Sequence, residues 1–422
     1  MRGNGLRSEL AERFLPALKY PDFRNLWLSG LSASSAAWAL IVARGWLVYQ
    51  ISGSSAWVGL TTFAAMIPLF LMPPVAGFLA DRFERRRLLT FVYGVQFVQI
   101  GGLAILALSN LIEPWTLVVF AFVNGMARAT RMPVTQALLP NVVPKERLLN
   151  AIALNAATLH GSRLVGAGLI APLLATSGAT PAFILCTGFY ALAMLLTLRI
   201  RTTSTGEMDQ AKSGVENFLM GVRYVYSHRL VWPLVVVVFL HCGLTMSFES
   251  LLPVLADKRL GGSDAGFSYL MMAVGAGALV GVLSLAMIQS PQTRGRLLLV
   301  TGLVSGLAPM GLAVSTSLTP ALASAAAMGG SQAAFMALTA TFLQAIVPDA
   351  IRGRVMSVYL LHIGGMMASV NLANGALADT IGAPVLLIAP GLIFVAVIAA
   401  SSAKAALRQL YTRGAVTTAP AV

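Results

Sequence analysis

The sequence is poor in charge, poorer in acids, and nearly without cysteine. Only 10% of its 422 residues are Asp, Glu, Lys or Arg, while 57% are hydrophobic. Soluble domains run near 25% charged and 45–50% apolar. So little polarity cannot cover a folded chain of this length in water, which excludes a soluble enzyme. The abundance of apolar side chains excludes disorder as well. Cys186 and Cys242 stand apart in apolar runs and make neither a disulfide framework nor a metal-ligand spacing. Four histidines and 15 acids, scattered along the chain, leave no nucleophile, base or metal cluster with convincing spacing, so catalysis and bound cofactors are not expected. With mean hydropathy +0.79, the class that remains is an all-α integral membrane protein.

A spanning helix needs about 20 apolar residues. That template finds twelve candidates, near 25–49, 55–79, 87–109, 114–138, 150–176, 180–199, 231–255, 265–288, 296–316, 319–345, 354–379 and 383–403. The 29 basic residues sort cleanly between these spans. Lys258 and Arg259 fall on one side, Arg44, Arg128, Arg131 and Arg163 fall within spans, and all the others fall on the opposite side. By the positive-inside rule both termini are cytoplasmic in a bacterial-type inner membrane. The net charge of +14 is then a matter of topology, and nucleic acid is not an expected partner. The N-terminal run lacks a short apolar core with a cleavage site and does not read as a signal peptide. Residues 214–227 read as an amphipathic helix on the inner membrane surface, and the last eight or so residues as a disordered tail.

The chain also repeats itself. Val143-Pro144 with Arg147 ends span four, and Val347-Pro348 with Arg352 ends span ten, an offset of about half the chain. This suggests a parallel six-plus-six duplication. The expected organisation is a first six-helix bundle over 1–199, a linker over 200–230, a second bundle over 231–403 and a tail over 404–422. Gly275, Gly277 and Gly281 lie inside an apolar 20-mer with no preceding strand, so they predict close helix packing rather than a dinucleotide fingerprint.

Between spans two and three the sequence runs Gly77, Phe78, Leu79, Ala80, Asp81, Arg82, Phe83, Glu84, Arg85, Arg86, Arg87. It resembles the loop signature G-x-L-a-D-R-x-G-R-R of the major facilitator superfamily, with Glu84 where Gly is usual. Further segments resemble its enterobactin-exporter-like branch: Asp22, Phe23, Arg24, Leu26 and Trp27; Gly45 to Tyr49; Leu138 to Pro144; Arg352 to Met356. The resemblance extends over nearly the whole chain and implies two pseudo-symmetric six-helix bundles. It implies an inner-loop role for Gly77, Asp81, Arg82, Arg85, Arg86 and Arg87, and a cavity lined by spans one, four, seven and ten. Two departures stand out. The second-half counterpart, Pro291 to Arg296, lacks the Asp, and span five reads Gly166-Ala167-Gly168 without the Gly-Pro pair common in antiporters.

Charges at membrane depth are costly, and each is a functional candidate. Within the spans lie Arg44, Arg128, Arg131, Arg163, His160, His241, His362 and one carboxylate, Glu249; Glu113 and Asp379 fall at outer helix ends. A cavity of this sign attracts anions. The expected substrate-lining set is Arg44, Arg128, Arg163, His241, Glu249 and His362. Arg44 and Glu249 both lie roughly 27–30 Å from the inner end at about 1.5 Å per residue, which predicts a cross-half outer gate between them. Glu249 and His241 are the expected proton-coupling groups. Arg131 and Arg163 have a structural alternative, capping carbonyls or pairing with Asp81.

The expectation is a monomeric secondary active transporter working by alternating access among membrane lipids. It would export an amphipathic organic anion such as a siderophore against protons; export and siderophore follow from the resemblance. Alternatives are a broad drug or macrolide exporter, predicting competition by cationic dyes, and a lipid or lysolipid flippase, predicting a lateral opening.

Overall fold

The computed structural model describes residues 16–72, 75–76, 79, 82–204, 214–260, 266–288 and 290–414. Among them every regular element is a helix. The first half comprises α1 (Pro21–Ser52), α2 (Ser55–Leu71), α3 (Arg85–Leu108), α4 (Pro114–Leu138), α5 (Leu148–Ser177) and α6 (Ala179–Leu198). Then come α7 (Gly214–Ser227), α8 (Val231–Leu244) and α9 (Leu252–Arg259). The rest of the second half is α10 (Gly266–Ala286), α11 (Pro291–Val314), α12 (Leu318–Ile346), α13 (Asp349–Ile381), α14 (Ala383–Ala403) and α15 (Ala405–Arg413). Each expected span has a helix at its place. Eight helices among the described residues are long and apolar enough to cross a membrane, and nine if the bent α7–α8 pair is one span. α4 and α5 fall short because arginine, asparagine and histidine dilute them, the polarity a helix tolerates only when it faces a bundle interior.

Within the first half α1 packs on α5 and α6, α2 on α4, and α3 on α6. Within the second, α10 packs on α12, and α11 on α12 and α14. Small residues set these distances. A Cβ on Gly277 or Gly329 would collide with the backbone of Ala326 or Val274 across the α10–α12 crossing, so the glycine pattern read from the sequence is a packing seam.

Two crossings join the halves, α2 on α13 and α5 on α10. At the first, a Cβ on Gly59 would stand 2.9 Å from Gly375 Cα; at the second, one on Gly275 would stand 2.8 Å from the Leu164 nitrogen. Neither backbone has room to yield. Gly59→Leu is therefore expected to force α2 and α13 apart. Spin-label distances between the α1–α2 and α13–α14 turns should lengthen, while an unchanged distribution would show that the crossing carries no constraint.

The seventh expected span is not one helix. It breaks after Leu244 and resumes at Leu252, with Pro253 in the first turn of α9 and Thr245, Ser247 and Ser250 in the gap. Non-helical backbone inside a membrane protein must find partners in protein, and it does. Gln332 Nε2 donates to the Thr245 carbonyl at 2.7 Å, Asn374 Nδ2 to the Ser247 carbonyl at 2.5 Å, and the Ser250 amide to Asn371 Oδ1 at 3.1 Å. Hydropathy alone hides this break, because the polar groups that hold it lie on α12 and α13.

Residues 214–227 do form a helix, and its Leu219–Ser227 part is turned by 102° from α8, the change of direction expected where a surface helix becomes a span. The expected tail over 404–422 is described only as far as residue 414. Part of it is α15, whose Leu407, Leu410 and Tyr411 are buried against the second half; residues 415–422 lie outside the described residues.

The apolar core is asymmetric along the bundle axis. One core fills the first half and continues into the second-half ends remote from the termini, through Leu252, Phe267, Leu312, Ala325, Ala378 and Leu387. The opposite ends of the second half have a core of their own, with Val235, Leu298, Leu343, Val355, Ile398 and Leu410. The halves are thus fused at the end bearing the α1–α2 turn and separately packed at the end bearing the termini.

Candidate functional site

Where the fused and separate regions meet, the intramembrane charges gather. Glu249 sits in the break between α8 and α9, and its Oε1 lies 3.6 Å from Arg163 Nη2 on α5. Their side chains are 4% and 13% exposed, so this is a buried ion pair across the two halves. The expected cross-half partner was Arg44. Arg44 instead donates from Nε to the Leu40 carbonyl at 3.2 Å on its own helix, and it lines a cavity together with Arg128, Thr61, Thr62 and Glu249. No ion pair joins Arg44 to Glu249 among the described residues. The physical reason is the break: freed from helical register, Glu249 meets α5 rather than α1.

Trp38 organises the arginines. The Arg163 guanidinium lies 4.4 Å from the centroid of its ring and that of Arg128 lies 5.6 Å away. Phe248, next to Glu249, holds Arg163 from another side at 5.8 Å. Cation–π contacts of this kind are worth about 0.5–2 kcal/mol each, more where water is excluded. The result is two arginines over one indole, with Arg44 beside Arg128 and Glu249 in the adjoining cavity, a site of net positive charge at the seam between the halves. Nothing in the sequence pattern singled out Trp38 or Thr61, because a neutral residue in an apolar run carries no signal of the direction it faces.

The other ionisable residues of the spans lie elsewhere, the expected lining residues His241 and His362 among them. Arg131 Nη1 donates to Ser34 Oγ at 3.1 Å; it is a helix-to-helix tie within the first half. His241 is fully buried inside the second bundle, with Nε2 2.7 Å from Ser305 Oγ and its ring against Phe335 and Phe394. It does not line the arginine cavity, because its facing depends on helix rotation. His362 is half-buried, bonded to Tyr226 Oη at 3.0 Å and to the Val358 carbonyl at 2.7 Å, at the α7–α8 bend rather than among the arginines. His160 lies on α5, three residues before Arg163.

The inner-loop motif is partly visible. Gly77 and Asp81 lie outside the described residues. Arg85 donates to the Ala137 carbonyl at 3.1 Å and Ser204 Oγ at 2.8 Å, and Arg86 to the Ile200 carbonyl at 2.8 Å. Glu84 pairs with Arg86 at 3.1 Å and Arg87 at 2.7 Å. Arg85 and Arg86 therefore tie α3 to the end of α4 and to the segment after α6. The unusual Glu84 neutralises part of its charge.

More cross-half links lie on the fused side. Tyr49 Oη donates to Asp257 Oδ2 at 3.1 Å, Ser268 Oγ to the Ala167 carbonyl at 2.6 Å, and both Ser54 Oγ and the Ser55 amide to Asp379 Oδ2 at 3.1 and 2.9 Å.

Comparison with known proteins agrees with this architecture. The profile of the transmembrane secretion effector family matches residues 13–417. The chain belongs to that family, and it is a major facilitator superfamily transporter, a multi-pass membrane protein. It is 27% identical to the enterobactin exporter EntS of Shigella boydii, over 87% of this chain and 85% of that one. It is 24% identical to the multidrug efflux pump Tap of Mycolicibacterium fortuitum, over 84% and 87%. To the staphyloferrin A transporter of Staphylococcus aureus it is 23% identical over 59% of this chain, spanning 62% of that protein's length. Among solved structures, the nucleoside transporter NupG superposes with a TM-score of 0.72 at 11% identity, covering 90% of this chain and 98% of that one, a likeness of fold.

Proposed function

We propose that this transporter exports an amphipathic organic anion of the siderophore kind by alternating access, driven by proton entry. The observation that carries the reading is the pair Arg128 and Arg163 over Trp38, with Arg44 beside Arg128 in the adjoining cavity, answered by a single buried carboxylate at the seam between the halves. An anionic, partly aromatic substrate satisfies such a site, whereas a cation there meets uncompensated positive charge. The likeness to a siderophore exporter and a siderophore transporter supports the substrate class.

Both termini are cytoplasmic in this reading, as the distribution of basic residues requires. The cross-half bonds at Tyr49, Ser54 and Ser268 then belong to an outer side that is closed, and the separate inner cores to an inner side free to part. Arg163–Glu249 takes the outer-gate role first expected of Arg44–Glu249. Arg44 and Arg128 serve as the anion-binding groups. Protonation of Glu249 from the outer side would release Arg163 and let the halves separate.

The test uses inside-out membrane vesicles. An acidic lumen should drive accumulation of a catecholate anion, and collapse of the gradient or Glu249→Gln should abolish that acceleration. Accumulation indifferent to the gradient would refute the coupling. The likeness to Tap favours one second reading, a drug exporter; in that case cationic dyes would accumulate in preference to the anion.

A further inference from the structure

The cavity beside Arg44 measures about 20 Å³, and a site of more than about 10–15 Å³ with two to four polar partners holds one water. Its walls supply those partners. Arg44 Nη1, Thr61 Oγ1 and Glu249 Oε2 are each buried without a hydrogen-bond partner in the protein, on residues only 2%, 4% and 4% exposed. Buried polar groups are almost always satisfied, by protein or by ordered water. Here the residues that carry three orphans, from three elements, line one water-sized space: Arg44 on α1, Thr61 on α2 and Glu249 in the α8–α9 break. They also complement one another, since the guanidinium only donates, the carboxylate only accepts and the hydroxyl does either.

We propose that one bound water occupies this cavity, accepting from Arg44 Nη1 and donating to Glu249 Oε2, with Thr61 Oγ1 completing its hydrogen bonds. Two of its partners belong to the first half and one to the second, so the water is a latch between them. It links Arg44 to Glu249 through one solvent molecule, where no direct pair forms. Thr61 is thereby a positioning residue of the closed outer side. A halide of similar size would sit against the Glu249 carboxylate, which disfavours it. The latch role rests on the alternating-access reading proposed above; the water site itself does not.

The experiment is a structure of the full chain in lipid nanodiscs at a resolution that shows ordered solvent, paired with spin-label distances across the outer turns. Solvent density within hydrogen-bond reach of the three atoms is expected. It should vanish in Thr61→Val, which keeps the shape, and persist in Thr61→Ser, which keeps the hydroxyl. The closed-to-open ratio should fall about three- to tenfold in Thr61→Val, the size of one lost buried hydrogen bond, and stay near its original value in Thr61→Ser. No density in the original protein, density unaffected by Thr61→Val, or a bromide signal at the position would overturn the water site. Loss of the water with an unchanged ratio would overturn the latch. A water present in a protein that binds no organic anion would sink the substrate reading alone.

Discussion

Arg163→Met is expected to destabilise the protein by about 3–5 kcal/mol, the usual cost of stranding one member of a buried ion pair. Glu249 would be left 4% exposed, without the one ion pair it makes among the described residues. Removing both charges is a different matter, because two desolvation costs vanish with one attraction. Arg163→Met with Glu249→Gln should therefore recover much of the loss. The order of thermal unfolding midpoints in detergent checks this: original protein highest, double variant next, Arg163→Met lowest. A single variant as stable as the original would mean that the 3.6 Å pair contributes nothing, and the gate assigned to it would fall. Arg163→Lys should rescue only in part, since an ammonium neither stacks on Trp38 as a guanidinium does nor offers its planar fork.

Arg128→Ala and Arg44→Ala are each expected to weaken binding of an organic anion by about 10- to 100-fold, the range for one lost charge-assisted hydrogen bond. Arg131→Ala is the internal control. Its guanidinium is engaged by Ser34 and is not part of the lining shared by Arg44, Arg128 and Glu249, so the dissociation constant should hold within about threefold, as for a residue outside the site. Titration calorimetry on the purified protein separates the three. Equal losses in all would point to a diffuse field rather than to contacts, and no loss in Arg44 or Arg128 would remove those residues from the site.

Much of the fold was legible because hydropathy and the sorting of basic residues are one-dimensional signals. Each expected span but the seventh matched a single helix, and the glycines of α10 proved to be a packing seam. The inventory of buried charges was legible for the same reason, since an arginine in an apolar run is conspicuous. Their partners were not. Which helix face a residue occupies follows from rotation, and rotation follows from packing across distant sequence. His241 therefore read as a cavity residue and lies instead against Ser305, Phe335 and Phe394. Glu249 read as one more helical position, although Gly243, Ser247 and Pro253 already mark a break. That break is stable only because Gln332, Asn371 and Asn374 reach it from other helices. Trp38, at the centre of the arginine cluster, gave no sign of its role.

The central claim, that a cationic seam between two halves selects organic anions, is tested most directly by ligand-induced thermal shift. The full chain would be titrated with size-matched anionic, neutral and cationic amphiphiles. A ligand at 100 times its dissociation constant adds roughly 2.7 kcal/mol of stability, well above detection. Stabilisation by the anion alone, lost in Arg44→Ala and Arg128→Ala, is the predicted result. Stabilisation by the cation, or by all three equally, would contradict it.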